Sequence, residues 1–246
     1  MKRFWTLLLG SSLLFLTSCF DIIEEMHLKK NGSGTYTITT DMSGMMSDGF
    51  MKQALEQAME TEGSELNMNL MDMDSSFTFA SAPEAANLSA EDRKTLEKVV
   101  ISIKGSEKEE VLQMDITVNF ESFADMDKIG AAIKKVSEKT EGTGSGLFGG
   151  PQFSDFSNMF SMKKKKIFSR TAKNQPLQGL VQDDMKEMMS MMLAGASYKV
   201  IYHMPGKVKK STIPDSEIDG KTVTIEHPML DVINQKVTVN GDIKFK

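Results

Sequence analysis

The chain contains several runs in which apolar and polar residues alternate, the pattern of a β-strand with one buried face. The clearest two cover residues 99–103 and 112–120, with a polar turn between them, and they predict a hairpin. A second pair, residues 22–28 and 36–42, is joined by Asn31-Gly32-Ser33-Gly34, which is typical of a hairpin turn. The chain therefore opens in antiparallel β structure.

The C-terminal part shows the same alternation. Runs at residues 198–204 and 223–225 predict two further strands, with a turn at Pro205-Gly206 after the first. A last strand is predicted from four apolar residues that would share one face: Val237, Val239, Ile243 and Phe245. Gly241 would mark a bulge within it.

Amphipathic helices are predicted over about residues 44–60, 123–136 and 182–194, where apolar residues recur every three or four positions. Ser122 with Asp125 resembles a capping box at the start of the second helix, and Ser89 with Asp92 begins a shorter charged helix. Hairpins and helices come in blocks rather than in βαβ alternation. We therefore expect an α+β fold, a mainly antiparallel sheet built from hairpins with about three packed amphipathic helices.

The first residues form a basic start followed by thirteen mostly apolar residues, 4–16, which is the form of a secretory leader. Thirteen residues make roughly 20 Å of helix, too short for the ~30 Å hydrocarbon core of a bilayer. Leu16-Thr17-Ser18-Cys19 then resembles the lipobox of bacterial lipoproteins; the alternative is an ordinary cleaved leader. The resemblance implies a signal peptide over 1–18, lipid attachment at Cys19, export from the cytoplasm and anchoring in the cell envelope.

The proposed mature part, residues 19–246, is expected to be a single membrane-anchored domain with a Gly/Phe-rich loop near 141–162. Only about three residues, roughly 10 Å when extended, would separate the lipid from the first strand. One face of the domain is then expected to lie against the bilayer. Two or more acyl chains anchor stably where one does not.

Loss of the leader removes Lys2 and Arg3, so the formal net charge of −5 becomes −7. That charge in a secreted protein, whose basic residues are not interleaved with stacking aromatics, argues against nucleic acid as a partner. Cys19 is the only cysteine, which excludes an internal disulfide framework and a thiolate metal cage.

Both ends of the chain also resemble a family. Tyr202-His203-Met204-Pro205-Gly206-Lys207-Val208, followed after a spacer by Gly220-Lys221-Thr222-Val223-Thr224-Ile225, is similar to the close of LppM-like bacterial lipoproteins. Asn31-Gly32-Ser33-Gly34 and Asp41-Met42-Ser43-Gly44 are similar in kind to their opening. The resemblance implies an envelope-anchored domain with a role in lipid binding and no catalysis.

No residue pattern indicates an enzyme or a bound cofactor. Residues 144–149 satisfy GxGxxG but follow a helix end instead of a strand, so they do not fit a dinucleotide site. His27, His203 and His227 lie far apart without metal-ligand spacing, and each is interpreted as an ordinary strand residue. We expect no cofactor, no metal and no catalytic residue.

Methionine is the distinctive component, with 21 residues in the chain. Met68, Met71 and Met73 form an MxxMxM pattern, and thioethers are soft ligands suited to Cu(I). Because most methionines fall on helical stripes or strand faces, packing in the core is the favoured interpretation. Copper handling remains the less favoured alternative.

A Phe-rich segment precedes a run of four lysines. An apolar face followed by lysines is what a helix lying in an anionic membrane interface shows. The candidate membrane or ligand contacts are Phe148, Phe153, Phe156, Phe160, Lys163, Lys164, Lys165 and Lys166. The favoured alternative is a short core-packed helix followed by a strand with solvated lysines.

The leading hypothesis is a non-enzymatic envelope lipoprotein that binds a lipid or an apolar ligand at the membrane surface. The alternative is a structural or assembly lipoprotein that contacts another envelope protein.

Overall fold

The computed structural model describes residues 20–47, 72–140, 156, 158–171, 193 and 195–246. The leader, Cys19 and the helix predicted over 182–194 lie outside these residues, as does most of the helix predicted over 44–60.

The described strands form two sheets. In chain order their bounds are β1 Asp21–Leu28, β2 Gly34–Asp41, β3 Asp72–Thr78, β4 Val99–Ser106, β5 Val111–Phe120, β6 Phe160–Lys163, β7 Ile167–Arg170, β8 Ser197–His203, β9 Val208–Ser211, β10 Glu217–Asp219, β11 Thr222–Pro228 and β12 Gly241–Phe245. Sheet A has the order β10-β11-β8-β1-β2-β5-β4-β3, and sheet B has the order β6-β7-β12-β9. The predicted α+β class with a mainly antiparallel sheet is confirmed.

One strand pair departs from the antiparallel pattern. β1 pairs with β2 antiparallel but with β8 parallel, and in this second pair His27 lies opposite His203. A parallel neighbour requires a crossover, and here the two strands are separated by most of the chain. Alternation along the sequence carries no information about this pairing.

The described α-helices are α1 Ser43–Ser47, α2 Ala90–Leu96, α3 Phe123–Thr140 and α4 Met229–Ile233, and two 3-10 helices span Phe79–Ser81 and Pro83–Ala85. The hydroxyl of Ser122 accepts a hydrogen bond from the Asp125 amide at 3.2 Å, and that of Ser89 accepts one from the Asp92 amide at 3.1 Å. Both predicted caps are confirmed, because side-chain oxygens satisfy amides that have no partner in the first helical turn.

The end of the chain differs from its prediction. The last strand begins at Gly241, while Val237 and Val239 lie in irregular backbone that follows α4. Val239 is nevertheless fully buried, as are Ile243 and Phe245. Packing against the core accounts for the apolar spacing of Val237 and Val239. The spacing predicted a strand, although this part of the chain forms no strand ladder. The register shift falls between Lys244 and Phe245 instead of at Gly241.

The core lies between the buried face of sheet A on one side and sheet B with α2 and α3 on the other. Aromatic rings make the contact between the sheets. The Phe168 ring of β7 lies 4.9 Å from that of Tyr202 in β8, and the Phe160 ring of β6 lies 5.3 Å from that of Tyr36 in β2. Such pairs add to the stabilisation from buried area.

Gly34 at the start of β2 has no room for a side chain. A Cβ built there lies 2.3 Å from the carbonyl oxygen of His27 and 2.8 Å from the Phe120 ring. The carbonyl is held in the β1–β2 ladder, so Gly34→Ala is expected to lower the free energy of unfolding by about 1–3 kcal/mol. Urea unfolding followed by circular dichroism measures it.

Gly195→Ala is the matched control, because a Cβ at Gly195 meets no atom within 4 Å. That variant is expected to stay within about 0.5 kcal/mol of the parent. Equal changes in the free energy of unfolding for Gly34→Ala and Gly195→Ala would contradict the steric clash expected at Gly34.

Candidate functional site

A buried ion pair joins the two sheets. Arg170 in β7 donates from Nη1 to Glu24 Oε2 at 2.6 Å and from Nη2 to Glu24 Oε1 at 3.2 Å. Glu24 is 1% exposed and Arg170 is 1% exposed. The two-point geometry matches the fork of the guanidinium to the carboxylate, the arrangement that best offsets the cost of desolvating both charges.

Tyrosines complete this cluster. The guanidinium also donates to the hydroxyl oxygens of Tyr202 at 2.9 Å and Tyr198 at 3.0 Å, and Tyr198 donates in turn to Glu24. Burial raises the pKa of Tyr202 to about 12, and burial together with Glu24 raises the pKa of Tyr198 and of Tyr36 well above the ordinary range. The tyrosines therefore stay neutral donors.

The same surroundings keep Arg170 charged. Burial by itself disfavours the cation, but Glu24 and the neighbouring tyrosines raise the pKa of Arg170 above its usual value. Because every member is buried, this cluster holds sheet B against sheet A and presents no surface to a ligand. This cluster was not predictable from the sequence, since Glu24 is one polar residue in an alternating strand.

A second cluster lies on the opposite face of β1. Side chains alternate along a strand, so Glu25 and His27 both point away from the core that contains Glu24. The parallel register places His203 of β8 opposite His27. Two of the three histidines thus come together beside a carboxylate, although 176 positions separate them in the sequence.

This cluster is closely packed and accessible. Glu25 Oε1 lies 2.9 Å from His27 Nε2 and 2.8 Å from His203 Nε2. The two imidazole rings stack with centroids 4.1 Å apart and planes 9° from parallel. The His27 side chain is 55% exposed, Glu25 37% and His203 34%. Among the described residues these three form the group whose ligand atoms could hold a metal ion.

His27 and His203 are strand residues, as interpreted from the sequence, but the β1–β8 pairing also brings them together, which their spacing along the chain did not indicate. His227 in β11 is buried and stands opposite Tyr198, at the other end of β8. The i,i+2 spacing of Glu25 and His27 on a polar face was visible in the sequence. Its significance depended on the pairing with β8, which was not visible.

The structure places the Phe/Lys segment differently from the interface-helix hypothesis. Phe156 and Phe160 are 3% and 4% exposed and pack near Tyr36 in the core. Their apolar faces already contact protein, so these two rings are not available to a membrane. Phe160 begins a strand, and the lysines that follow are exposed, as the favoured alternative expects; residues 153–155 and 157 of its predicted short helix lie outside the described residues. Phe148 and Phe153 lie outside the described residues.

The four lysines form the exposed turn between β6 and β7. The Lys166 amide donates to the Lys163 carbonyl at 3.1 Å, and Lys164 and Lys165 have φ values of 51° and 52°. Two left-handed residues define a type I′ turn, for which Asn-Gly is the preferred pair. Among the described residues, no carboxylate forms an ion pair with any of these lysines.

This lysine turn lies at the end of sheet A where β1 finishes. Met162, next to Lys163, approaches Gly32 in the β1–β2 turn, and the Phe245 amide donates to the Lys166 carbonyl at 3.0 Å. β1 begins at Asp21 and spans roughly 25 Å, so its first residue lies at the opposite end of the sheet. The opposite end also carries the β4–β5 turn, with Glu107, Glu109 and Glu110 exposed.

The remaining candidates are placed only in part. Met73 in β3 is half-buried against the core, as the packing interpretation of the methionines expects, while Met68 and Met71 lie outside the described residues. Phe20 packs against the core. None of the described helices is long and apolar enough to cross a membrane.

No protein-family model matches the chain, and no curated protein matches it. Among solved structures, the chain is similar to the NMR structure of the folded domain of the LppM protein from Mycobacterium tuberculosis. The TM-score is 0.42 and the identity 9%, over 96% of this chain and 94% of that chain. A likeness this distant does not assign a function.

Removing Arg170 tests the buried pair. Arg170→Met leaves the Glu24 carboxylate uncompensated, so the free energy of unfolding is expected to fall by about 3–5 kcal/mol. The double variant Glu24→Leu with Arg170→Met removes that charge as well and is expected to lose less than the single variant. Urea unfolding of each variant gives the comparison.

Lys236→Met is the matched control. It breaks an exposed pair, in which Lys236 lies 3.0 Å from Asp231 and is 65% exposed, so about 0–1 kcal/mol is expected. A loss at Arg170 no larger than this would show that the buried pair does not hold the sheets together.

Proposed function

We propose that this chain is a non-enzymatic, lipid-anchored envelope protein that presents the lysine-turn end of its sheet to an acidic partner protein. The observation that carries the proposal is the orientation of β1. The strand starts two residues after Cys19 and ends beside the lysine turn. An anchor at Cys19 therefore holds one end of the sheet at the bilayer and directs the other end roughly 25 Å outward.

The two ends of the sheet differ in charge. The anchor end exposes Glu107, Glu109 and Glu110 together with Lys108, and an anionic lipid surface does not favour this acidic end, so the orientation rests on the anchor alone. The far end exposes Lys163–Lys166, and Lys207 lies there too, where its carbonyl accepts from the Lys246 amide at 3.0 Å. Complementary charge brings an acidic partner to the far end and fixes its orientation.

The backbone of the lysine turn gives a second argument. A non-glycine residue in the left-handed region costs roughly 1–2 kcal/mol, and Lys164 and Lys165 both adopt it. Asn-Gly would form the same turn at lower cost. Backbone geometry therefore does not account for lysines at these positions, whereas a role for their charge does.

Binding of a lipid or an apolar ligand is the second candidate function. What favours it is the proposed anchor together with Phe148 and Phe153 in the predicted Gly/Phe-rich loop. Phe156 and Phe160 belong to the core and take no part in this candidate. The detergent-purified full chain, extracted with organic solvent, would release about one equivalent of a defined lipid to mass spectrometry. Release of only the acyl groups from Cys19 would count against this candidate.

The anchor is tested by labelling cells with a radioactive fatty acid. The parent chain is expected to carry the label and to sediment with membranes, whereas Cys19→Ala is expected to lose the label, because the thioether has no attachment point. Ser18→Ala is the control, since it leaves the sulfur in place. Labelling that persists in Cys19→Ala would refute attachment at this residue.

The lysine turn is tested by the double change Lys164→Asn with Lys165→Gly. Because the new pair suits the turn, the free energy of unfolding is expected to rise by roughly 1–2 kcal/mol. The same variant is expected to reduce partner capture, which a photoreactive residue at Lys166 reports in cells. If partner capture falls while the free energy of unfolding rises, the loss of capture is due to the removed charge and not to misfolding.

A photoreactive residue at Lys108 is the matched control, because Lys108 is an exposed lysine in the β4–β5 turn at the anchor end. A specific acidic protein adduct from position 166 and none from position 108 is the expected result. Adducts from position 108 alone, or an unchanged adduct in the Asn-Gly variant, would refute the far-end partner.

A further inference from the structure

We propose that Glu25, His27 and His203 form a binding site for a divalent transition-metal ion of the zinc class. The site lies on the face of β1 and β8 that points away from the core, and it does not depend on the lipid anchor or on the lysine turn. Two imidazole nitrogens and one carboxylate oxygen form a donor set that zinc accepts in proteins, with a fourth position left for water.

The backbone brings the three donors together without a loop. Glu25 and His27 are two residues apart on β1 and project from the same face. His203 is held opposite His27 by the β1–β8 ladder. Because both strands lie within sheet A, the Cα positions of all three ligands are set by hydrogen-bonded backbone on either side.

The donor atoms already converge. All three lie within 4.8 Å of one another, and Oε1 of Glu25 accepts from Nε2 of each histidine. Ligand atoms around a tetrahedral zinc ion are roughly 3.3 Å apart, so closure needs a movement of at most about 1.5 Å. Rotation of side-chain torsions supplies such a movement without shifting the strands.

The stacked rings have to tilt before both can bind one ion. The lone pair of Nε2 lies in the ring plane, and planes 9° from parallel do not converge on a point between them. His27 has the freedom to turn, because its side chain is 55% exposed. His203 is the more fixed ligand, with 34% of its side chain exposed.

The hydroxyl of Thr222 can form a hydrogen bond with His203 both without and with a bound metal ion. Thr222 Oγ1 in β11 lies 3.2 Å from His203 Nδ1. Without metal, Nε2–H donates to Glu25 and Nδ1 accepts from the threonine hydroxyl. With metal on Nε2, the proton sits on Nδ1 and donates to the same hydroxyl oxygen, which is the support that metal-bound histidines usually receive.

The test uses the full chain in detergent, without a histidine tag, after removal of metals with EDTA. Zn²⁺ is titrated in competition with a chromophoric chelator. One equivalent is expected to bind, and His27→Ala, His203→Ala and Glu25→Gln are each expected to weaken it by at least ~10-fold. His27→Asp, which restores a ligand atom, is expected to bind more tightly than His27→Ala.

Two controls lie on β11. His227→Gln removes the remaining histidine, and Glu226→Gln removes a carboxylate that is 54% exposed and pairs with Lys199. Both are expected to bind Zn²⁺ as the parent does, with circular dichroism confirming that each variant is folded. If the His227 variant unfolds, Glu226→Gln alone serves as the control.

No binding by the parent above the detergent blank would overturn the proposal. So would binding that survives both His27→Ala and His203→Ala, because the ion would then be held elsewhere. Selective broadening or shift of two histidine ring signals in the NMR spectrum on addition of Zn²⁺, with the third unchanged, would support the assignment.

Discussion

The buried ion pair between Glu24 and Arg170 is the contact on which the rest of the structure depends. It joins sheet A to sheet B in the middle of the core, and three tyrosines surround it so that each charge has neutral hydrogen-bonding neighbours. Two of those tyrosines, Tyr198 and Tyr202, lie on β8. The pair therefore stabilises β8 in its parallel register beside β1, because a shift by one residue would turn both tyrosines away from the arginine.

The parallel register of β1 and β8 also positions the side chains on the other face of the sheet. Glu24 and Glu25 are adjacent in sequence but point in opposite directions. The first forms the buried pair with Arg170, and the second lies between His27 and His203. One alignment of two strands thus sets both the core cluster and the exposed cluster. A change in the core that loosened β8 would also separate the two histidines.

The proposed anchor would orient sheet A relative to the bilayer, with one end near the lipid and the other away from it. Residue 20 stands at one end of sheet A with the acidic β4–β5 turn, and the lysine turn stands at the other end with the end of β1. Both His27 and His203 lie near the far end of their strands, roughly 20 Å along β1 from Asp21. The lysine turn and the His/Glu cluster would therefore be displayed together away from the lipid, accessible to a partner.

Local features of the fold were predictable. The caps at Ser89 and Ser122 and the hairpins around residues 29–33 and 107–110 each depend on contacts between residues a few positions apart. The errors occurred where packing acts without the regular pattern. Val239 keeps its apolar spacing outside a strand. Phe156 and Phe160 pack in the core, as the favoured interpretation of that segment expects, but Phe156 lies in irregular backbone and Phe160 in a strand.

The sequence by itself determined the alternation of the strands, the helix starts, the α+β class and the resemblance to a lipobox that singles out Cys19. These follow from periodicity and short motifs, which a chain carries whatever its fold. Only the tertiary structure decided that Glu24 meets Arg170, that His27 meets His203, and that the lysines lie at the end of the sheet opposite Asp21. Each of these depends on which distant strands pair, and side-chain alternation is the same for every possible partner strand.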